Sequence, residues 1–133
     1  MLKPSLLIAA VLVAMSMPVF AQQTAAPAPI KRTILQKVDV PGSSTHETIT
    51  GIAEIVPNVN IGRHTHPGVE TGYVLEGTVT LLIEGKAALS LNAGDSYQIP
   101  PSAFHDAKSG EKGVKLLAVY IVEKGKPLAT PAP

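Results

Sequence analysis

No cysteine occurs in the 133 residues, which removes disulfides, thiolate metal ligands and a cysteine nucleophile together. Neither sign of charge predominates: 11 Lys and Arg stand against 10 Asp and Glu, a formal net charge of +1, and without Lys3 the balance is 10 against 10. Aromatic residues make up only 4%. With no basic stripe and no aromatic platform, nucleic acid is excluded as a partner. Apolar spacing of the helical kind is missing throughout, and the one long apolar run lies close to the amino terminus.

That run belongs to an export signal. Lys3 is a short positive region, residues 6–17 are the apolar run, and Val19-Phe20-Ala21 is a small-residue cleavage site. The run is shorter than the ~20 apolar residues of a spanning helix, and Pro18 and the polar Gln22-Gln23 follow closely. Residues 1–21 are therefore expected to be a signal peptide cleaved after Ala21, leaving no stable membrane anchor. No cysteine follows the run and no Arg-Arg pair precedes it, which favours the general secretory route over lipoprotein or twin-arginine export. The remaining 133 − 21 = 112 residues are expected to be periplasmic or secreted. Residues 22–31 read as a flexible Ala/Pro-rich leader and 126–133 as a disordered Pro/Ala tail. Between them, 32–125 is one domain, long enough for its own core.

Within that domain, short apolar or alternating runs are divided by turn signals. Strands are expected at 33–40, 48–56, 60–66, 71–75, 79–83, 87–91, 96–99, 104–108 and 115–122. Pro41-Gly42, Pro57-Asn58, Pro67-Gly68, Glu76-Gly77, Glu84-Gly85, Gly94-Asp95, Pro100-Pro101 and Ser109-Gly110 separate them. So many short strands call for an all-β sandwich or closed barrel, because closure removes exposed edges. Leu81, Ile83, Leu89, Leu91, Leu117, Val119 and Ile121 are the expected core.

Chemistry concentrates in residues 62–77, which read G-R-H-T-H-P-G-V-E-T-G-Y-V-L-E-G. His64 and His66 are two apart in strand-like surroundings, so both imidazoles share a face. Pro67-Gly68 turns the chain back and brings Glu70 to the same side. Two imidazole nitrogens and a carboxylate oxygen make a chelate for a divalent transition metal, and His105, just past the Pro100-Pro101 corner, is the candidate to complete it. Three imidazoles and one carboxylate suit Mn, Fe, Ni, Cu, Co or Zn and not Ca or Mg. His46 lies in a turn-rich loop and reads as solvated; Arg63 alternates with His64 and should point away from it.

These motifs resemble the cupin superfamily. His64, His66, Glu70 and Gly77 match the spacing of its first motif, and Gly94, Pro100 and His105 that of its second. Two positions depart: Asn58 stands where the family has an early glycine, and Ser109 where it has a late asparagine. The resemblance implies a single jelly-roll β-barrel (double-stranded β-helix) over roughly 33–122, with His64, His66, Glu70 and His105 holding one divalent metal and leaving positions open for water or substrate. It also implies a homodimer in which residues 33–40 add to a partner's sheet. The expected function is a small metalloenzyme of dioxygenase, isomerase or lyase type on a small organic molecule, with Tyr73, Tyr97 or Gln98 positioning or protonating the substrate. The alternative is a non-catalytic periplasmic module that binds a metal or small ligand, since fold alone does not decide function.

Overall fold

The structure, a computed structural model, describes residues 28–133. The expected signal peptide and residues 22–27 of the expected leader lie outside the described residues. Every regular element among the described residues is a strand: β1 (Ile30–Asp39), β2 (His46–Ile55), β3 (His64–Thr65), β4 (Gly68–Ile83), β5 (Leu89–Asn92), β6 (Ser96–Ile99), β7 (His105–Glu123) and β8 (Thr130–Pro131).

The expected breaks at Glu76-Gly77 and Ser109-Gly110 do not end strands. Instead β4 and β7 run past them, 16 and 19 residues long, and their pairing shifts register between Val74 and Glu76 and again between Gly77 and Val79. Bulges bend a strand and increase its twist without ending it. Gly77 makes this one possible: its φ is 74°, a conformation glycine adopts without cost, and a Cβ there would run into the Gly113 carbonyl of β7. Beyond the bulge β4 pairs with β5 and before it with β6, while residues 114–122 of β7 lie between β2 and β4. The sheet curls into an all-β double-stranded β-helix.

Alternation along the strands fills the interior. Ile55, Val74, Val79, Leu81, Leu91, Tyr97, Ile99, Ala107, Val114 and Leu116 form one buried cluster, and Ile49, Ala118, Tyr120 and Val122 a second. The expected core is correct for Leu81 and Leu91 and out of phase on β7. There Leu116, Ala118, Tyr120 and Val122 point inward, Leu117 and Val119 are half-buried, and Ile121 is 45% exposed. Ile83 is half-buried and Leu89 exposed.

The two positions that depart from the family pattern meet in one turn. Asn58 has φ 58°, the left-handed region that asparagine tolerates better than most residues. Ser109 is buried; its Oγ donates to the Val56 carbonyl (2.6 Å) and accepts from the Val59 N–H (2.9 Å), while its own N–H donates to the Val59 carbonyl. The serine ties down the turn that Asn58 makes.

Both expected tails are shorter than composition suggests. Ile30 and Lys31 already belong to β1, paired with Ile55 and Glu54. At the other end, residues 126–133 are not disordered: Thr130 pairs with Thr65, Pro131 with His64, and the Ala132 N–H donates to the Arg63 carbonyl. Leu128 packs against the second buried cluster. One apolar anchor and a short pairing strand hold the segment across the end of the barrel.

Candidate metal centre

Strand pairing assembles the histidines. His64 on β3 lies opposite His105 at the start of β7, and His66 follows one residue beyond β3. The ring centroids are 4.2 Å apart for His64 and His105, 4.8 Å for His64 and His66, and 4.9 Å for His66 and His105. One ring nitrogen of each lies within 4.8 Å of the others. His66 and His105 are buried and His64 is half-buried.

Each imidazole is held by a backbone carbonyl at Nδ1: His64 by Gly62 at 2.7 Å, His105 by Ala103 at 2.9 Å and His66 by Leu128 at 2.5 Å. A carbonyl can only accept, so each Nδ1 carries a proton, and in the neutral ring Nε2 is then the atom that presents its lone pair. Burial lowers the pKa of His64 and of His105, outweighing the opposing carbonyl bonds, and so favours the neutral form that ligates metal.

Glu70 on β4 closes on this group. Its Oε2 is 2.8 Å from Nε2 of His66 and 3.7 Å from Nε2 of His105. Despite that proximity, His66 Nε2 is buried and has no hydrogen-bond partner among the described residues. Two acceptor atoms facing each other at this range repel unless a proton or a metal ion lies between them. The donor set fits a divalent transition ion, with carbonyls supplying the outer hydrogen bonds that orient ligating histidines.

Of the expected polar partners, Tyr97 alone is in the site. It is buried on β6 and its hydroxyl donates to Glu70 Oε1 at 2.8 Å; burial, and then the Glu70 charge, push its pKa upward, so the phenol keeps its proton. Tyr73 is 44% exposed and Gln98 is exposed. Both are excluded by alternation, Tyr73 lying three residues beyond inward-facing Glu70 and Gln98 one beyond Tyr97. His46 stays outside the site, with Nδ1 3.0 Å from Thr45 Oγ1. Arg63 points outward, paired with Glu84 and stacked on Phe104 at 4.7 Å.

Tyr120 and Arg32 join the site without any local sequence signal. Tyr120 on β7 lies opposite Glu70, with its ring 5.0 Å from that of His66; burial raises its pKa, with the Glu70 charge adding to the effect. Arg32 on β1 lines the cavity together with the three histidines, Glu70 and the two tyrosines. The walls are otherwise apolar, among them Val79, Leu81, Leu91, Ile99 and Leu116, and only ≈ 40 Å³ is open to the centre of a water molecule. The volume suits a few waters or the reacting end of a small ligand.

Leu128 makes the carboxyl-terminal segment part of the centre. Deleting residues 126–133 is expected to weaken metal binding by roughly 10–100-fold, the usual effect of losing a partner that orients a ligand. Competition against a chromogenic chelator measures it, and a folded truncation with unchanged affinity would show that the Leu128 carbonyl is dispensable.

A model of the cupin domain matches residues 51–120, more than half of the chain. No curated protein matches. Among solved structures, the chain is similar to the DMSP lyase DddQ from Ruegeria pomeroyi (TM-score 0.65, 17% identity, covering 78% of this chain and 52% of that one). It is also similar to a conserved protein with a double-stranded β-helix domain from Klebsiella pneumoniae (0.64, 17%, 83% and 90%) and to KdgF from Halomonas sp. (0.59, 20%, 77% and 86%). The chain spans about half the length of the DMSP lyases it matches. At these identities the structures speak for the fold, and the motif residues together with the matched segment carry the assignment: the chain belongs to the cupin family.

Proposed function

We propose that this cupin is an exported, single-domain metalloenzyme that binds one divalent transition metal through His64, His66, Glu70 and His105 and acts on a small organic molecule, as a dioxygenase, isomerase or lyase. One observation carries the reading. Three imidazoles, each fixed at Nδ1 by a carbonyl, gather beside a buried carboxylate in an apolar cavity. A bound ion would supply Lewis-acid polarisation of a substrate oxygen or, if redox-active, chemistry with dioxygen. The chain's own residues do the rest. Tyr97 holds Glu70 through its hydroxyl, Tyr120 offers a protonated phenol beside His66, and the apolar walls limit water. A lyase among the structural relatives supports the class without specifying the substrate.

Protein purified without chelator is expected to carry about one transition ion per chain. Its Mn, Fe, Ni, Cu, Co and Zn forms should then be screened for oxygen uptake and product on small organic substrates. A metal-free protein that takes up no ion sinks the proposal. Ligand-induced thermal shifts without turnover in any form would favour the non-catalytic binding module.

Export and self-association complete the proposal. The export signal predicts a secreted or periplasmic product beginning at Gln22, which amino-terminal sequencing tests. The edge strand β1 exposes Ile34 (54%), Leu35 (53%) and Val38 (59%), a face that supports a homodimer through this strand; sedimentation as a monomer at micromolar concentration would refute it.

A further inference from the structure

Two arginines line the mouth of the barrel, and they are not equivalent. The mouth is formed by Arg32, Arg63, His64, His66, Tyr120 and Leu128, among others. Arg63 is engaged, its guanidinium paired with Glu84 and stacked on Phe104. Arg32 forms no ion pair among the described residues, although it lines both the mouth and the inner cavity. It sits opposite Ala53 in the β1–β2 register, and in the crevice beneath it lie Ala53, Ala118, Tyr120 and Leu128. That is the environment in which a long basic side chain lays its stem on apolar surface and keeps its charge at the rim.

We propose, on the reading that this centre holds a divalent metal, that Arg32 is the carboxylate anchor of the site and that its ligands are small organic acids. Such a ligand places its carboxylate on Arg32 and a second oxygen function toward the histidines. The charge count agrees. Glu70 alone would repel an anion; with a divalent ion in place the sum is +2 − 1 + 1 = +2, of which Arg32 contributes one unit on the solvent side. A guanidinium also matches a carboxylate in shape, with two parallel N–H donors. The inner cavity is too narrow for much more than the reacting end of the molecule, so the acid group belongs at the mouth.

The test is calorimetric titration of the Zn-loaded protein with acetate, lactate and succinate, and with their uncharged amides. At least one acid is expected to bind about tenfold or more tightly than its amide. In Arg32→Gln the acid's affinity should fall by roughly 10–100-fold, the loss expected for a hydrogen bond between charged groups, with amide binding and zinc content unchanged. Arg32→Lys should keep part of the preference, since a point charge replaces the fork. Equal binding of acid and amide, failure of every acid to bind, or an undiminished affinity in Arg32→Gln overturns the proposal. A protein that takes up no zinc overturns the metal reading beneath it, which separates the two failures.

Discussion

Replacing His105 by alanine is expected to abolish metal uptake while leaving a folded barrel. Loss of a partner behind a ligand costs roughly 10–100-fold in affinity; loss of the ligand itself, in a set of three imidazoles and one carboxylate, should cost more. His105 is chosen because it joins the two halves of the site, pairing across strands with His64 and lying 3.7 Å from the Glu70 carboxylate through Nε2. The substitution also has a purely structural cost: the ring is buried, and without it the Ala103 carbonyl loses its partner, worth about 1–3 kcal/mol. A lower melting temperature alone therefore proves nothing. The informative quantity is the shift on adding metal, which for the wild-type protein should amount to about 2.7 kcal/mol at a free concentration 100 times Kd. The shift should vanish in His105→Ala and persist in His46→Ala, because His46 hydrogen-bonds within its own turn, away from the centre. A metal-induced shift of wild-type size in His105→Ala would remove that residue from the ligand set.

What could be read from the sequence follows from the distances involved. His64 and His66 are gathered by the two-residue period of an extended chain, and Pro67-Gly68 adds Glu70 by a local turn, so all three announce themselves within a few residues. His105 needed only a motif-length match. Which face a residue takes is less legible than its spacing. On β4 no register shift intervenes between Glu70 and Tyr73, so parity from an inward Glu70 already turns Tyr73 outward; the same rule sends Gln98 out once Tyr97 is in. On β7 the run from Leu116 to Val122 is apolar at every position, and such a run has no readable phase. The inward phase includes Ala118 and Tyr120, and nothing local in the run marks Tyr120 as part of the site. Arg32 and Leu128 depend on pairing across the fold, β1 with β2 and the carboxyl-terminal segment with β3, and neither leaves a local pattern. The same holds for Asn58 and Ser109, distant in sequence and joined in one turn.

Gly72→Ala is expected to destabilise the barrel through the Tyr97 ring. In an ordinary strand position the change would help, since exchanging glycine for alanine stiffens the unfolded chain and gains about 0.4–1 kcal/mol. Gly72, however, lies between Tyr97 on β6 and Ala118 on β7, and a Cβ there would land on Cζ, Cε1 and the hydroxyl oxygen of Tyr97. The ring passes over the glycine to reach Glu70. Its buried position leaves little room to yield, so the methyl either strains β4 or displaces the ring. Overpacking of this kind costs about 1–3 kcal/mol, and a displaced Tyr97 also gives up its hydrogen bond to a carboxylate, about 1.5–3 kcal/mol more. Set against the gain in chain stiffness, the net loss should be about 2–4 kcal/mol. For a domain of this size that lowers the melting temperature by roughly 10–20 °C. The cause is separable by a double-mutant cycle. With Tyr97→Ala already in place the clash is gone, so Gly72→Ala should then be neutral or stabilising, a coupling that contact between the two residues requires. If Gly72→Ala costs as much without the Tyr97 ring as with it, the glycine serves the backbone of β4 and not the tyrosine that holds Glu70.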